Sequence, residues 1–298
     1  VLLLLVFAIK AAILPLHFWL PETYSEAPAP VAALFAIMTK VGAYAILRMY
    51  TLVYGPELGA TADLVQPLLM GAAVVTLVVG MVGILGSDRL GRLAAFAAIG
   101  SMGTVLISLS RFDAASTGAT LYYVVHSTLA GALLFLVVDL VRERRADGTD
   151  GYAPAPPMAG HGMVAALFFA AAIGMAGMPP FSGFLGKLLI LDALRDTAGA
   201  TLAWWAILAT SLVAILGFAQ GGSAVFWKTA PPAPGGAAAA DAAAGPALPA
   251  LPVAAALALA AAIVALTVLA GPVMDYMAAT AAQLYAPDGY IAAVLAAR

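Results

Sequence analysis

The sequence predicts an all-α, polytopic membrane protein of about eight transmembrane helices, two of them broken. Three observations predict it. Charged residues are 9% of the 298 and hydrophobic ones 64%, against roughly 25% and 45–50% in soluble domains, so a water-exposed surface would lack the charges to cover it. Mean hydropathy is +1.03. The apolar residues also gather into runs of about 20, the length that crosses a hydrocarbon core of about 30 Å.

The runs are Val1–Leu20, Val31–Tyr54, Leu68–Leu85, Leu93–Ser110, Gly118–Val141, Met163–Leu194, Leu202–Trp227 and Leu251–Ala270. The first begins inside an apolar stretch, without a basic n-region, so Val1–Phe7 reads as the interior of a helix and not as a signal peptide. The chain is therefore expected to be N-terminally truncated. Only the polar turn Ser87-Asp88-Arg89 separates the third run from the fourth, which predicts two tightly packed antiparallel neighbours. Pro15 interrupts the first run, and Gly177-Met178-Pro179-Pro180 interrupts the sixth. Proline removes a backbone donor and clashes with the preceding turn. At membrane depth the carbonyls it frees must find neighbours or a wet cavity, which is why broken helices mark transport pathways; a plain kink is the alternative. Arg142–Gly162 and Thr229–Ala250 read as linkers, the second almost all Ala, Pro and Gly. The organisation expected is a transmembrane core over 1–227, a linker over 228–250, a final helix over 251–270 and a tail over 271–298.

Basic loop residues set the orientation. Arg89, Arg92, Arg142, Arg144, Arg145 and Lys228 follow the first, third, fifth and seventh runs, whereas Arg111 and Arg195 follow the even ones. The first set is expected in the cytoplasm, with both visible ends of the chain in the periplasm of a bacterial inner membrane. Trp19, Trp204, Trp205 and Trp227 fall near helix ends, as in an aromatic belt. A net charge of −2 gives no basic patch for nucleic acid, and the chain has no cysteine, which excludes thiolate metal sites, iron–sulfur clusters and disulfides. Three histidines without clustered acids give no metal site, and no cofactor is expected.

Of four lysines, Lys10, Lys40 and Lys187 lie inside apolar runs. Lys40 is ten residues into its helix, or about 15 Å at 1.5 Å per residue, which is the middle of the bilayer. A charge there costs at least ~2.5–3.5 kcal/mol. A desolvated ammonium gives up its proton more readily than one in water, so such lysines can pass protons on; snorkelling of the stem to the interface is the bland alternative. Lys40, Tyr44 and Arg48 share one helix face, and Arg48 reads best as an interfacial anchor. His126 sits mid-helix, one turn after Tyr122, and histidine is the side chain whose ordinary titration range suits a link between lysines; a neutral packing histidine is the alternative. Asp139 reads as an arginine's partner. His17 and Glu22 stand in LPLHFWLPETYSEAPAP, the most distinctive stretch of the chain, which by itself reads as a rigid loop at the membrane surface. His161 reads as solvent-exposed.

That stretch, with Lys10-Ala-Ala-Ile-Leu-Pro before it and Lys40-Val-Gly-Ala-Tyr after it, resembles the proton-translocating antiporter module of respiratory complex I and of Mrp-type cation/proton antiporters. PETYSEAPAPVAALFAIMTKVGAYAILRMY is most similar to the D-type subunit of the Mrp/Pha antiporters. Leu121-Tyr-Tyr-Val-Val-His126 resembles the family's histidine-bearing helix, and Gly177-Met-Pro-Pro-Phe-Ser-Gly-Phe-Leu-Gly-Lys187 its second broken helix. The resemblance implies that this chain is the C-terminal part of a fourteen-helix bundle with two inverted five-helix repeats. It further implies that Lys10 is the proton-input lysine, paired with a glutamate upstream of Val1, that Lys40 connects, that His126 lies on the central hydrophilic axis and that Lys187 is the terminal site. The chain departs from several relatives one turn after the histidine, where Ala130-Gly131 replaces a lysine, so the path must cross there by water or another residue.

Two functions compete. In the first, the chain is a membrane subunit of a hetero-oligomeric Na+ or K+/proton antiporter, embedded in the lipid bilayer, with protons relayed through Lys10, Lys40, His126 and Lys187. In the second, the same module is a proton-pumping arm of an NADH:quinone oxidoreductase whose redox centres sit on partner subunits.

Overall fold

The computed structural model describes residues 2–53, 59–145, 147–156, 158, 160–228 and 250–296, with 59–64 as backbone only. The expected linker 228–250 lies almost wholly outside the described residues. Twelve helices are described: α1 (Leu2–Lys10), α2 (Leu20–Glu26), α3 (Ala29–Leu52), α4 (Gly59–Leu85), α5 (Leu90–Leu109), α6 (Ala114–Arg144), α7 (His161–Ala176), α8 (Ser182–Leu194), α9 (Ala200–Phe226), α10 (Ala250–Val268), α11 (Ala270–Leu284) and α12 (Asp288–Ala296). Among the described residues there is no strand, only an isolated antiparallel bridge between Arg89 and Gly151.

Among the described residues, six helices are long and apolar enough to cross a membrane: Ala29–Leu52, Val65–Leu85, Leu90–Leu109, Ala114–Arg144, Ala200–Phe226 and Ala250–Val268. The two remaining runs are the ones that break. The first run stops being helical at Lys10, well before Pro15, and resumes as α2 at Leu20. The stretch expected as a surface loop is therefore partly helical. Pro21 sits in the first turn of α2, where its missing N–H has no helical partner to lose. The sixth run divides into α7 and α8 around 177–181. The C-terminal tail is helical as well, forming α11 and α12.

α5 is the centre of the bundle, and all of it but Arg92 and Phe96 is buried. Glycines bring its neighbour in close: a Cβ on Gly80 of α4 would strike the backbone of Gly100, and one on Gly103 would strike that of Leu77. The short turn at Ser87–Arg89 thus joins close-packed antiparallel helices, as its length predicts. α6, about 46 Å long at 1.5 Å per residue, runs beside α5 and also packs against α3, α7, α8, α10 and α11. Large apolar side chains on the outer faces of α3, α4, α9 and α10 are exposed, among them Leu34, Val82, Leu212 and Leu257. That distribution suits a bundle whose surroundings are apolar.

At one end of the bundle, the segments following the first, third and fifth runs are tied together. Arg142 pairs with Asp150 at 2.9 Å and donates to the Ser25 carbonyl at 2.8 Å, while Asp150 Oδ2 accepts from the Gly91 amide at 2.6 Å. Arg89 pairs with Glu26 at 2.6 Å. Burial opposes the Arg89 charge, but the hydrogen bond and ion pair with Glu26, with Asp150 and Glu22 nearby, hold its guanidinium above the usual value.

Candidate functional site

The site is built where the sixth run breaks. α7 ends on Gly177, whose φ of +80° is the left-handed conformation that favours glycine. There the Met178 amide reaches back to the Ile173 carbonyl at 3.0 Å. Since that amide is the helical partner of Gly174, the Gly174 carbonyl accepts instead from the Gly177 amide at 3.0 Å and has room for a side chain as well. The next two carbonyls, of Met175 and Ala176, would be served by residues 179 and 180, both proline and both without an N–H. The break therefore frees acceptors in the middle of an apolar bundle.

Titratable side chains take two of them. His126 of α6 is fully buried and sets Nε2 3.0 Å from the Gly174 carbonyl and Nδ1 2.8 Å from Ser182 Oγ, at the start of α8. Lys187 of α8, 5% exposed, donates from Nζ to the Ala176 carbonyl and to Ser211 Oγ of α9, both at 2.8 Å. The glycines around this centre are required by space. A Cβ at Gly177 would lie 2.6 Å from Lys187 Cδ, and one at Gly183 would meet the Gly174 carbonyl and His126 Nε2. His126 and Lys187 are thus gathered on one turn of broken backbone.

Lys40 lies on the other side of α5. It is 4% exposed and donates to Ser101 Oγ of α5 at 3.2 Å; Ser101 in turn donates to the Ala98 carbonyl. Its stem lines an otherwise apolar crevice of about 220 Å³ between α3, α5 and α6. Tyr44, one turn on, also lines this crevice and is half exposed, and the Arg48 guanidinium lies 5.5 Å over the Tyr290 ring of α12. Tyr123, one turn before His126 on α6, lies with its ring 5.9 Å from that of the histidine. Its buried hydroxyl lies against Thr104, one turn along α5 from Ser101, with no bond of good geometry.

Lys10 ends α1 with its side chain exposed, and is not drawn into this cluster. Its backbone nevertheless abuts α3, because Gly42, two residues after Lys40, leaves room for it: a Cβ there would lie 2.6 Å from the Ala11 amide. In the first break the Ile9 carbonyl accepts from the Ala12 amide and from Trp19 Nε1, and the Leu14 amide donates to Thr76 of α4. Ala12 holds a left-handed φ of +53°. Pro15, Pro179 and Pro180 are exposed at their breaks. His17 is half-buried and its Nδ1 has no partner among the described residues, while the Glu22 side chain points outward. His161, expected in solvent, is half-buried with its edge on Phe226, the rings 5.6 Å apart. Its place as the first residue of α7, beside the end of α9, explains the difference. Asp139 is half-buried, near Arg142 and Glu143.

Ser101, Ser182, Ser211 and the carbonyls of Gly174 and Ala176 are not marked as functional by the sequence. FSGF beside the double proline is the available signal for Ser182. The others are ordinary helical residues until the fold brings a titratable group to them. Among the described residues no three His, Asp or Glu side chains gather as metal ligands.

An all-helical bundle of apolar spans, with a buried lysine and histidine held on the carbonyls of a broken helix, defines a class, the polytopic membrane proteins. Residues 1–216 match the transmembrane family of NADH:quinone oxidoreductase and the Mrp antiporter. The chain belongs to that family. It is 32% identical over 319 residues to a probable K(+)/H(+) antiporter D-type subunit of Rhizobium meliloti (strain 1021), covering 98% of this chain and 57% of that protein. It is 34% identical over 219 residues to the Na(+)/H(+) antiporter D-type subunit of Bacillus subtilis (strain 168), covering 72% of this chain and 42% of the relative. The chain thus spans about half the length of the curated relatives it matches. Among solved structures, a chain of the Mrp complex from Dietzia sp. DQ12-45-1b superposes with a TM-score of 0.83 at 26% identity, over 98% of this chain and 60% of that one. A chain of respiratory complex I from Thermus thermophilus with bound NADH gives 0.72 at 26% identity, over 95% and 58%.

Proposed function

We propose that this chain is a membrane subunit of a multi-subunit antiporter exchanging Na+ or K+ for protons, and that protons move through it along Lys10, Lys40, His126 and Lys187. The arrangement at the second break carries the reading. Two titratable groups are held there by backbone acceptors at the helix break, in a bundle otherwise too apolar to tolerate them. Such hydrogen bonds place each group without neutralising it, because none of the partners is an anion. Protons can then be exchanged without a permanent ion pair having to be broken. Where Ala130-Gly131 leaves no lysine after the histidine, the crossing from Lys40 to His126 runs along Ser101, Thr104 and the Tyr123 hydroxyl. Lys10 is the entry point, and its backbone contact with α3 couples the first break to the helix that carries Lys40.

On this reading the visible chain supplies eight of the fourteen helices of an antiporter-type bundle in a bacterial inner membrane. Its partners are other membrane subunits, and the loops bearing Arg89 and Arg142 face the cytoplasm, in keeping with their basic residues. The names of the curated relatives favour the antiporter. The likeness to respiratory complex I favours a second reading, a proton-pumping arm of an NADH:quinone oxidoreductase. Affinity purification of the full-length protein from native membranes, with mass spectrometry of what accompanies it, separates the two. Small membrane subunits alone are the expected companions; a flavin- and cluster-bearing peripheral arm would overturn the antiporter in favour of the pump.

A further inference from the structure

His126 has two partners of different kinds, and the difference assigns its protons. The Gly174 carbonyl, 3.0 Å from Nε2, can only accept. Nε2 must therefore carry its hydrogen, and in the neutral ring Nδ1 is the bare nitrogen. Ser182 Oγ, 2.8 Å from Nδ1, is a hydroxyl that can donate or accept. It has a second acceptor behind it, the Ile263 carbonyl of α10, at a longer 3.5 Å. Ser182 is fully buried, and its hydroxyl contacts run to these two groups. The neighbouring space is closed: a Cβ on Gly174 would lie 3.2 Å from His126 Cε1, and one on Gly183 2.6 Å from Nε2. The ring cannot turn over to exchange its nitrogens without moving the break.

We propose that Nδ1 is the atom at which His126 gains and loses its proton, and that Ser182 is the positioning residue that delivers it. The inference rests on the proton-relay reading above and deepens it. With the ring neutral, the Ser182 hydroxyl donates to Nδ1. When a hydronium or a protonated neighbour passes a proton to Ser182 Oγ, the original Oγ–H bond breaks and an Nδ1–H bond forms. The new Oγ–H points to the Ile263 carbonyl, and the imidazolium Nδ1–H donates to Oγ. Release reverses these steps. Nε2–H stays on the Gly174 carbonyl throughout, so this bond anchors the ring and takes no part in the transfer.

The tautomer is read directly in the wild-type assembly. The chain contains three histidines, His17, His126 and His161, so 15N-histidine solid-state NMR with His126→Gln as the subtraction isolates the signal. The expected species at alkaline pH is the Nε2-protonated tautomer with Nδ1 hydrogen-bonded to a hydroxyl; an Nδ1-protonated tautomer overturns the proposal whatever any variant does. In everted vesicles bearing the whole assembly, Ser182→Ala should slow cation-dependent proton movement by about a hundredfold, the scale of a positioned proton-transfer partner. Ser182→Thr, which keeps the hydroxyl, should restore it. Wild-type rates in Ser182→Ala, or no rescue by an assembled Ser182→Thr, overturn the assignment. Wild-type rates in His126→Gln would instead remove the relay reading itself, and the two failures are thereby told apart.

Discussion

Each titratable residue at the centre of this chain is held by an uncharged acceptor. Lys40 has Ser101, Lys187 has Ser211 and a freed carbonyl, and His126 has a carbonyl on one side and a hydroxyl on the other. Tyr123 is the exception, a buried hydroxyl against Thr104 that no bond of good geometry holds. Tyr123→Phe removes only that oxygen. A poorly bonded donor stabilises little, so the thermal midpoint of the purified protein should change little. A bridge worth about 1–1.5 kcal/mol in the transfer step should nonetheless cost about tenfold in proton movement. Unchanged transport in this variant would take Tyr123 off the path. The lysines themselves are legible in the sequence, because a lysine ten residues into an apolar run is too costly to be incidental. Their partners are not. Ser101 is 61 residues from Lys40 and Ser182 is 56 from His126, and nothing local distinguishes those serines from the helical serines that merely bond their own backbone, such as Ser127.

At the scale of elements, the two breaks are made differently. In α7–α8 the prolines themselves free the carbonyls, so the sequence locates the break to within a few residues. In the first run the helix ends at Lys10 although Pro15 lies five positions on, and the unwound stretch is held by Thr76 of α4 and by Trp19. A tertiary hydrogen bond, invisible in the local sequence, decides where that helix stops. The tie among α2 and the segments around the ends of α4 and α6 is likewise tertiary. Asp150 is almost wholly buried between the Arg142 guanidinium and the Gly91 amide. Asp150→Asn keeps an oxygen for the amide and removes the charge that Arg142 faces. Breaking a buried pair costs about 3–5 kcal/mol, and about 2–3 kcal/mol is expected here, because the arginine side chain is a quarter exposed. A lowered thermal midpoint and faster proteolysis in 145–153 should follow; a midpoint equal to wild type would show that the tie contributes nothing.

For the whole molecule, the hydropathy runs set out the order of helices, while the packing around α5 comes from glycines whose role only the fold discloses. Gly80, Gly100 and Gly103 are unremarkable residues of apolar spans in the sequence, yet they set the close approach of α4 to α5. The tail after 270 is featureless in the sequence because its alanines carry no strong pattern; α11 forms there and lies along α6, with Tyr285 and Thr117 joined at 3.0 Å. α10 completes the site from outside, since its carbonyls at Ile263 and Leu266 meet Ser182 and Tyr122. The proposed relay thus draws on seven helices, α1, α3, α5, α6, α7, α8 and α9, with α10 closing it. The central claim is that its buried lysines carry protons. Lys40→Ala and Lys187→Ala, made separately in the full-length protein within its native assembly, are assayed for cation-dependent ΔpH in everted vesicles, with assembly checked on the same membranes. Loss of the ΔpH response in both, with assembly intact, is the result the account predicts; wild-type responses in both would contradict it.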